Sequence, residues 1–152
     1  MLKFLSIVLA FSAFSANAQN DEAAIKQTIG RLFDGMRKTD TALLRSAFAP
    51  SGMLQSVAKN KQGQSLVFTE PLDSFIASIA RPHKEVYDER ITYDVIKVDG
   101  DLASVWTPYR FYLGNQFLHC GVDSYQLVRL NGEWKIQYLI DTRRREGCEG
   151  GK

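Results

Sequence analysis

The residue best placed to do chemistry is Asp123, an acid in a stretch that otherwise alternates aromatic and aliphatic side chains. Residues 119–142 predict two long strands, and Asn131-Gly132 between them is typical of a type I′ turn. The turn fixes the pairing of the strands, and strand alternation then assigns each side chain to a face. We predict that one face points inward and carries His119, Gly121, Asp123, Tyr125, Leu127, Trp134, Ile136, Tyr138 and Ile140.

A carboxyl group on such a face could work as a general base. Burial disfavours the ionised form and raises the pKa of an acid, by up to ~3–5 units when burial is complete. A carboxyl poised in this way can move a proton next to a carbonyl. The alternative is that Asp123 is satisfied by a tyrosine hydroxyl or by Arg110 and only lines a binding pocket.

His119 and Arg110 form a second candidate pair. They lie opposite each other if a Gly114-Asn115 turn pairs Leu113 with Gln116. A neighbouring guanidinium would lower the pKa of the imidazole, and the arginine could bind a carboxylate or phosphate. The alternative is a polar rim at a pocket mouth. In the same register Trp106 faces Asp123, with Tyr93 beside it. The predicted ligand-binding residues are therefore Tyr93, Trp106, Arg110, Asp123, Tyr125 and Tyr138, and the catalytic candidates are Asp123 and His119.

Several function classes lack support in the sequence. The two histidines and two cysteines show no metal-ligand spacing, and no nucleophile elbow or phosphate-binding glycine pattern is present. We therefore expect no metal and no cofactor. A formal net charge of +2, and the solvated character expected of Arg143-Arg144-Arg145, argue against a nucleic-acid partner.

Residues 1–18 resemble a cleavable export signal rather than part of the fold. Lys3 precedes an apolar run too short to cross a bilayer, and Ala16-Asn17-Ala18 is an A-x-A cleavage site. We expect a mature chain that begins at Gln19, has no membrane association, and is periplasmic or secreted. An oxidising compartment would permit a Cys120–Cys148 disulfide. Two unpaired thiols are the alternative.

The remaining elements follow from periodicity and breakers. A helix is predicted from Asn20, with an apolar stripe and two glycines, Gly30 and Gly35, that would permit close approach of another element. A short helix follows over 41–48, then strands over 52–57 and 64–69 and a third helix after Pro71. Long strands over 89–98 and 102–113 precede the hairpin. The stripe consists of Ile25, Ile29, Leu32, Phe33 and Met36.

Two segments resemble the nuclear transport factor 2-like superfamily. Residues 23–56, AAIKQTIGRLFDGMRKTDTALLRSAFAPSGMLQS, are similar to its opening helix, break, second helix and first strand. Residues 125–142, YQLVRLNGEWKIQYLIDT, are similar to its closing hairpin. The chain looks closest to small exported members of the nuclear transport factor 2 and lumazine-binding types.

The resemblance implies an α+β fold in which a cone-shaped, curved antiparallel sheet wraps around a long N-terminal helix, as a single domain over 19–152. It also implies a mostly apolar pocket and frequent homodimerisation through the outer face of the sheet. Fold alone does not give function.

Three functions stay open on the sequence. The first is a non-enzymatic exported protein that holds a small apolar or aromatic molecule. The second is an isomerase-like or dehydratase-like enzyme with Asp123 as its base. The third is a dimeric interaction module, whose predicted outer patch is Val105, Val122, Val128 and Leu139.

Overall fold

A computed structural model describes residues 9–148, with side chains from residue 20 onward. Residues 1–8 of the predicted export signal lie outside the described residues, so the signal stays a prediction. Along the chain the elements are α1 (Leu9–Lys38), α2 (Thr41–Ser46), β1 (Phe48–Lys59), β2 (Ser65–Pro71), α3 (Leu72–Ala80), β3 (Tyr87–Ile91), β4 (Val95–Asp99), β5 (Leu102–Leu113), β6 (Gln116–Leu130) and β7 (Glu133–Thr142). None of the helices in this part of the chain combines the length and apolar character that a membrane crossing needs.

The first helix is the central element of the core. Its predicted stripe is buried from Ile25 to Met36, because side chains three and four residues apart share one helical face. Within the described residues the helix already runs from Leu9, which is 11 residues before the predicted start at Asn20. Burial of the stripe against the sheet is the main stabilisation of this helix.

The break between α1 and α2 is built from two local features. Thr39 takes a positive φ of 54°, and Asp40 caps α2 by accepting a hydrogen bond from the Leu43 amide at 2.9 Å. A Cβ at Gly35 would lie 2.7 Å from Leu44, whereas a Cβ at Gly30 would meet nothing within 4 Å. Close approach is therefore confirmed at Gly35, where the partner is α2, and wrong at Gly30.

Seven strands form one open, curved sheet in the order β2-β1-β7-β6-β5-β3, with β4 paired to β5 beyond the end of β3. All pairs are antiparallel except β1 with β7, which are parallel. The inner face of the sheet packs on α1 and shares one hydrophobic core with it. The predicted α+β cone is confirmed.

The turns are largely as the residue types predict. Asn131 and Gly132 both take positive φ, 52° and 82°, as a type I′ turn requires. The strand predicted over 89–98 is divided into β3 and β4, and residues 92–94 between them are not in a strand. The same predicted strand ends one residue later than expected, because Asp99 still pairs with Leu102.

Two bulges change which side chains face the core. Leu118 is an extra residue in β6, between the pairs Phe117–Tyr112 and His119–Phe111. An extra residue reverses the facing of the partner strand beyond it. Trp106 and Arg110, which were predicted to point inward, therefore lie on the outer face.

The second bulge, at Gln137 in β7, falls between the pairs Leu127–Ile136 and Gln126–Tyr138. Beyond it Leu139 and Asp141 face inward, and the inward orientation predicted for Tyr138 and Ile140 is wrong. The predicted outer patch is wrong as well, because Val105 and Leu139 are buried in the core.

The two cysteines are joined in a Cys120–Cys148 disulfide, with a Cα–Cα distance of 5.7 Å. The segment after β7 folds back along the outer face, as the bridge requires. Backbone hydrogen bonds of 2.9 Å run both ways between Cys120 and Arg144. The partner of Cys120 in this pairing is Arg144, two residues after the end of β7.

Candidate functional site

A cavity of about 500 Å³ lies between the helices and the inner face of the sheet. We call it the inner cavity. Its walls are mainly aliphatic and aromatic side chains from α1, α3 and the sheet. Most of its polar residues lie on β3, β5, β6 and β7 or directly after β7, and the others are Gln55 and Ser56 on β1, Glu70 on β2 and Ser78 on α3. The apolar lining is Leu32, Phe33, Met36, Leu54, Phe75, Ile79, Tyr87, Phe111, Leu113, Leu118 and Leu139.

Two acids stand side by side at the polar end of the inner cavity. Asp123 and Asp141 are directly paired across β6 and β7, and both are buried, with 3% and 9% of the residue exposed. The Gln137 bulge produces this pairing because it turns Asp141 inward. Like charges directly opposite each other destabilise a strand pair, so the surrounding groups have to compensate.

Asp123 is held by hydroxyl donors. Tyr125 donates to its Oδ2 at 2.9 Å and Thr107 donates to the same oxygen at 3.3 Å. Both donors are fully buried, so neither can exchange its partner for bulk water. These bonds favour the ionised form of the acid.

Asp141 is held by a cation and two hydroxyls. Arg143 Nε lies 2.8 Å from its Oδ2, and Tyr109 donates to the same oxygen at 3.2 Å. Ser56 donates to the other oxygen, Oδ1. The Tyr109 hydroxyl also lies 2.9 Å from the carbonyl oxygen of Thr142. A phenol carries one proton, so it can serve only one of these acceptors fully at a time.

Glu89 on β3 is the third acid of this end of the inner cavity. It hydrogen-bonds with the Asp123 carboxyl, and burial, followed by the negative charges of Asp123 and Asp141, raises the pKa of Glu89 well above its ordinary value. Arg37 donates to its backbone carbonyl at 3.3 Å, which ties β3 to α1. Glu89, Asp123 and Asp141 are called the carboxyl cluster below.

Burial also raises the pKa of Asp123, to about 7, with a further contribution from Asp141. The hydrogen bonds from Tyr125, Glu89 and Thr107 act in the opposite direction. The surroundings of Glu89 therefore favour its protonated form, which can donate toward Asp123. One end of the inner cavity thus offers both a hydrogen-bond donor and acceptor oxygens.

His119 lies beside this cluster. Its ring stacks on Phe111 with a centroid distance of 4.9 Å, and its Nδ1 lies 3.3 Å from the Tyr109 hydroxyl. Burial, followed by the positive charge of Arg143, lowers the pKa of the imidazole. His119 is thus a neutral ring near neutral pH, linked to Asp141 through Tyr109.

The structure brings together some of the predicted site residues and separates others. Asp123, Tyr125 and His119 meet at the carboxyl cluster, whereas Trp106, Arg110 and Tyr138 lie on the opposite face of the sheet. Tyr138 donates to Gln55 Oε1 at 2.6 Å. Tyr93 packs against the edge of the core near Lys26 rather than lining the inner cavity.

Six polar residues at this end were not predicted: Ser56, Glu89, Thr107, Tyr109, Asp141 and Arg143. Glu89 could have been found, since it lies four residues before Tyr93, which was assigned to the inward face. Thr107, Tyr109, Asp141 and Arg143 depend on the bulges at Leu118 and Gln137, for which the sequence gives no local signal. Within residues 9–148, no group of three or more His, Cys, Asp and Glu side chains is arranged to hold a metal ion.

Comparisons with known proteins agree with this architecture. A family model described as "Putative lumazine-binding" matches residues 20–138. The comparison with curated proteins found no match.

Among solved structures, a nuclear transport factor 2-like protein of unknown function from Shewanella baltica is similar, with 16% identity, coverage of 84% of this chain and 96% of that chain, and a TM-score of 0.65. A function-unknown protein from Mycobacterium tuberculosis has 16% identity, coverage of 88% and 77%, and a TM-score of 0.67. A protein from Kribbella flavida has 21% identity, coverage of 86% and 96%, and a TM-score of 0.63. These likenesses establish the fold.

Proposed function

Because the chain belongs to the family described as "Putative lumazine-binding" and has the nuclear transport factor 2-like fold, we propose that it binds a small, largely apolar or aromatic molecule in the inner cavity. The observation that carries the proposal is the division of this cavity into long apolar walls and one polar end. Its volume of about 500 Å³ is in the usual range for small-molecule sites.

The polar end selects the kind of ligand. Among the described residues, Arg143 is the one lysine or arginine that lines the inner cavity, and its Nε is already bound to Asp141. A carboxylate or phosphate would therefore be repelled by the acids. Ligands with N–H or O–H groups can donate to the cluster, and a carbonyl beside them can accept the proton of Glu89. A planar ring with alternating N–H and C=O groups, such as lumazine, fits this description.

Calorimetric titration tests the proposal with three probes: lumazine, neutral 2-naphthol and anionic 2-naphthoate. We expect binding of the first two and weaker or no binding of naphthoate. Glu89→Gln should weaken lumazine by ~10-fold, the effect of losing one hydrogen bond to a charged or shared-proton group. Glu133→Gln at the exposed hairpin tip is the matched control. Absence of binding by all three probes at millimolar concentration would overturn the proposal.

A second candidate function is supported by the contact between Glu89 and Asp123. An acid whose pKa is about 7 is close to the best value for a general base at neutral pH. Asp123 could remove a proton next to a carbonyl while Glu89 donates to the carbonyl oxygen. The protein would then be an isomerase or dehydratase that uses the same cavity.

A panel of enolisable ketones separates the two functions. Turnover should rise with pH through about 7 and vanish in Asp123→Asn, while Asp94→Asn on the outer face leaves it unchanged. Binding of these ketones with no turnover at any pH would rule out the enzymatic function and support the binding function.

We also propose that the protein is exported and forms a homodimer. Export is supported by the signal-like residues 1–18 and by the Cys120–Cys148 disulfide, since disulfides persist in oxidising compartments. Mass spectrometry of the protein from a secreting host should find an N-terminus at Gln19, and light scattering should give twice the chain mass. An N-terminus at Met1 would contradict export, and a monomer would contradict the homodimer.

A further inference from the structure

The outer face of the sheet carries a second concavity, which the proposed function does not use. It has a volume of about 640 Å³ and is lined by strands β3, β5 and β6 and by the segment after β7. We call it the arginine groove, because Arg90, Arg110 and Arg144 line it together with a single acid, Asp94. Its charge is therefore opposite to that of the inner cavity.

The guanidinium groups keep donors available for a ligand. Arg110 donates through Nε to the Tyr112 hydroxyl at 3.1 Å and through Nη1 to the Cys148 carbonyl at 2.6 Å, which leaves Nη2. Arg90 uses Nε on Asp88 at 2.7 Å, and both of its Nη atoms have no hydrogen bond to residues 9–148. Each guanidinium can present two N–H groups to one acceptor such as carboxylate or phosphate.

Arg144 contributes a third guanidinium, whose side chain makes no ion pair or hydrogen bond within the described residues. Its backbone is fixed by the two hydrogen bonds to Cys120, and the disulfide closes the segment four residues later. Arg90 and Arg110 also lie over the rings of Tyr112 and Phe117, at 4.2 and 4.6 Å. Arginines held in this way lose less side-chain entropy when they bind an anion.

The other end of the arginine groove carries its aromatic surface and also its one acid, Asp94, whose backbone amide donates to the Trp106 carbonyl at 3.1 Å. Trp106 lies there with 44% of the residue exposed, next to Pro108 and Val122. Trp106 and Arg110 are four residues apart on β5, which corresponds to roughly 13 Å along a strand. An exposed indole at this distance can stack on a ring while an anionic group reaches the guanidiniums.

We propose that the arginine groove is a second binding site, for a small aromatic anion whose carboxylate or phosphate group is held by Arg90, Arg110 and Arg144 and whose ring lies on Trp106. This site is separate from the inner cavity, where the carboxyl cluster repels the same ligands. The protein would thus hold two molecules of opposite polar character, one on each face of the sheet.

NMR titration of the ¹⁵N-labelled protein tests this proposal, with the indole N–H signal of Trp106 assigned through Trp106→Phe. The probes are 1-naphthyl phosphate, 2-naphthoate, inorganic phosphate and neutral 2-naphthol. We expect the two aromatic anions to shift the Trp106 signal at micromolar to millimolar concentration, and the stronger of the two identifies the anionic group. Inorganic phosphate should bind more weakly, and 2-naphthol should not shift this signal.

Arg144→Gln and Arg90→Gln should each weaken the aromatic anion by ~10-fold, as expected for the loss of a charge-assisted hydrogen bond. Arg81→Gln at the exposed end of α3 is the matched control, and it should bind as the wild type does. An unmoved Trp106 signal with every probe would overturn the proposal. Equal affinities in all three variants would also overturn it. So would a shift that follows protein concentration rather than probe concentration, which would show that the proposed homodimer forms through this face and covers the groove.

Discussion

The inner cavity and the arginine groove are built on the same strands but differ in charge and exposure. On β5, Tyr109 points to the carboxyl cluster and the next residue, Arg110, points to the groove. Asp123 and Asp141 of the inner cavity are buried and each is held by its own donors, whereas the arginines of the outer face are exposed and keep donors free. The two faces of one sheet thus carry an acidic, enclosed site and a basic, open site.

The comparison shows that side-chain alternation assigns functional residues to a face of the sheet only when the positions of the bulges are known. A strand of period two puts neighbouring residues on opposite faces, so one extra residue exchanges the contents of the two sites. Trp106 and Arg110 were both predicted to bind a ligand on the inner face, and the structure places both on the outer face.

The largest effect is expected where the two faces meet, at Gly121. A Cβ there would lie 1.7 Å from the Thr142 carbonyl oxygen and 2.7 Å from the Tyr109 ring, so β6 and the segment after β7 would have to separate. Gly121→Ala should lower the free energy of unfolding by ~5 kcal/mol, or prevent folding, as overpacking against backbone does.

Urea denaturation measures this loss. Gly30→Ala is the matched control, since a Cβ there meets nothing within 4 Å and alanine is the better helix residue, by roughly 0.5–1 kcal/mol. Equal stabilities for Gly121→Ala and wild type would contradict the close packing between the two sites.

The next effect is a pH dependence carried by the inner cavity. Burial raises the pKa of Asp123 from 3.8 to about 7, so the folded chain binds this proton more tightly than the unfolded chain. Stability from this group is complete below about pH 4 and is lost as the pH rises through about 7, by on the order of 4 kcal/mol.

Denaturation midpoints in urea from pH 4 to pH 8 test this sign. Asp123→Asn should flatten the decline, because an amide stays neutral and its carbonyl oxygen can still accept from Tyr125. Asp94→Asn in the arginine groove is the control and should keep the wild-type slope. Parallel profiles for wild type and Asp123→Asn would show that this acid does not titrate in the window.

The smallest effect compares two tyrosines that the sequence assigned to the same face. Tyr125 is fully buried and its hydroxyl holds Asp123, whereas Tyr138 is on the outer face and bonds to Gln55. Tyr125→Phe should cost ~1–2 kcal/mol of unfolding free energy, and Tyr138→Phe less than about 1 kcal/mol.

Tyr125→Phe should also raise the pKa of Asp123 further, since the lost hydrogen bond favours the ionised form. The carboxyl ¹³C shift of Asp123 reports this directly. The same pKa in Tyr125→Phe and Tyr138→Phe would mean that the Tyr125 hydroxyl has no electrostatic role.

The sequence predicts the fold far better than the site. The apolar stripe of α1 and the Asn131-Gly132 turn are local signals, and both are confirmed. Asp123 was correctly assigned to the inner face because β6 alternates without an extra residue from the Asn131-Gly132 turn back to Asp123. Its neighbours were missed because the face on which they lie depends on the bulges at Leu118 and Gln137. Both are ordinary strand residues, and they form bulges because of how the strands pair in the folded protein.

The bulge at Gln137 also has a consequence for how relatives are compared. Deleting this one residue would move the side chains from Tyr138 to Thr142 to the opposite face of the sheet. A relative whose strand lacks the extra residue would need its inward acid one position earlier to occupy the same place in space. Equivalent acids in such proteins should therefore be identified by superposed backbones, and an alignment column is a poor guide to them at identities near 16%.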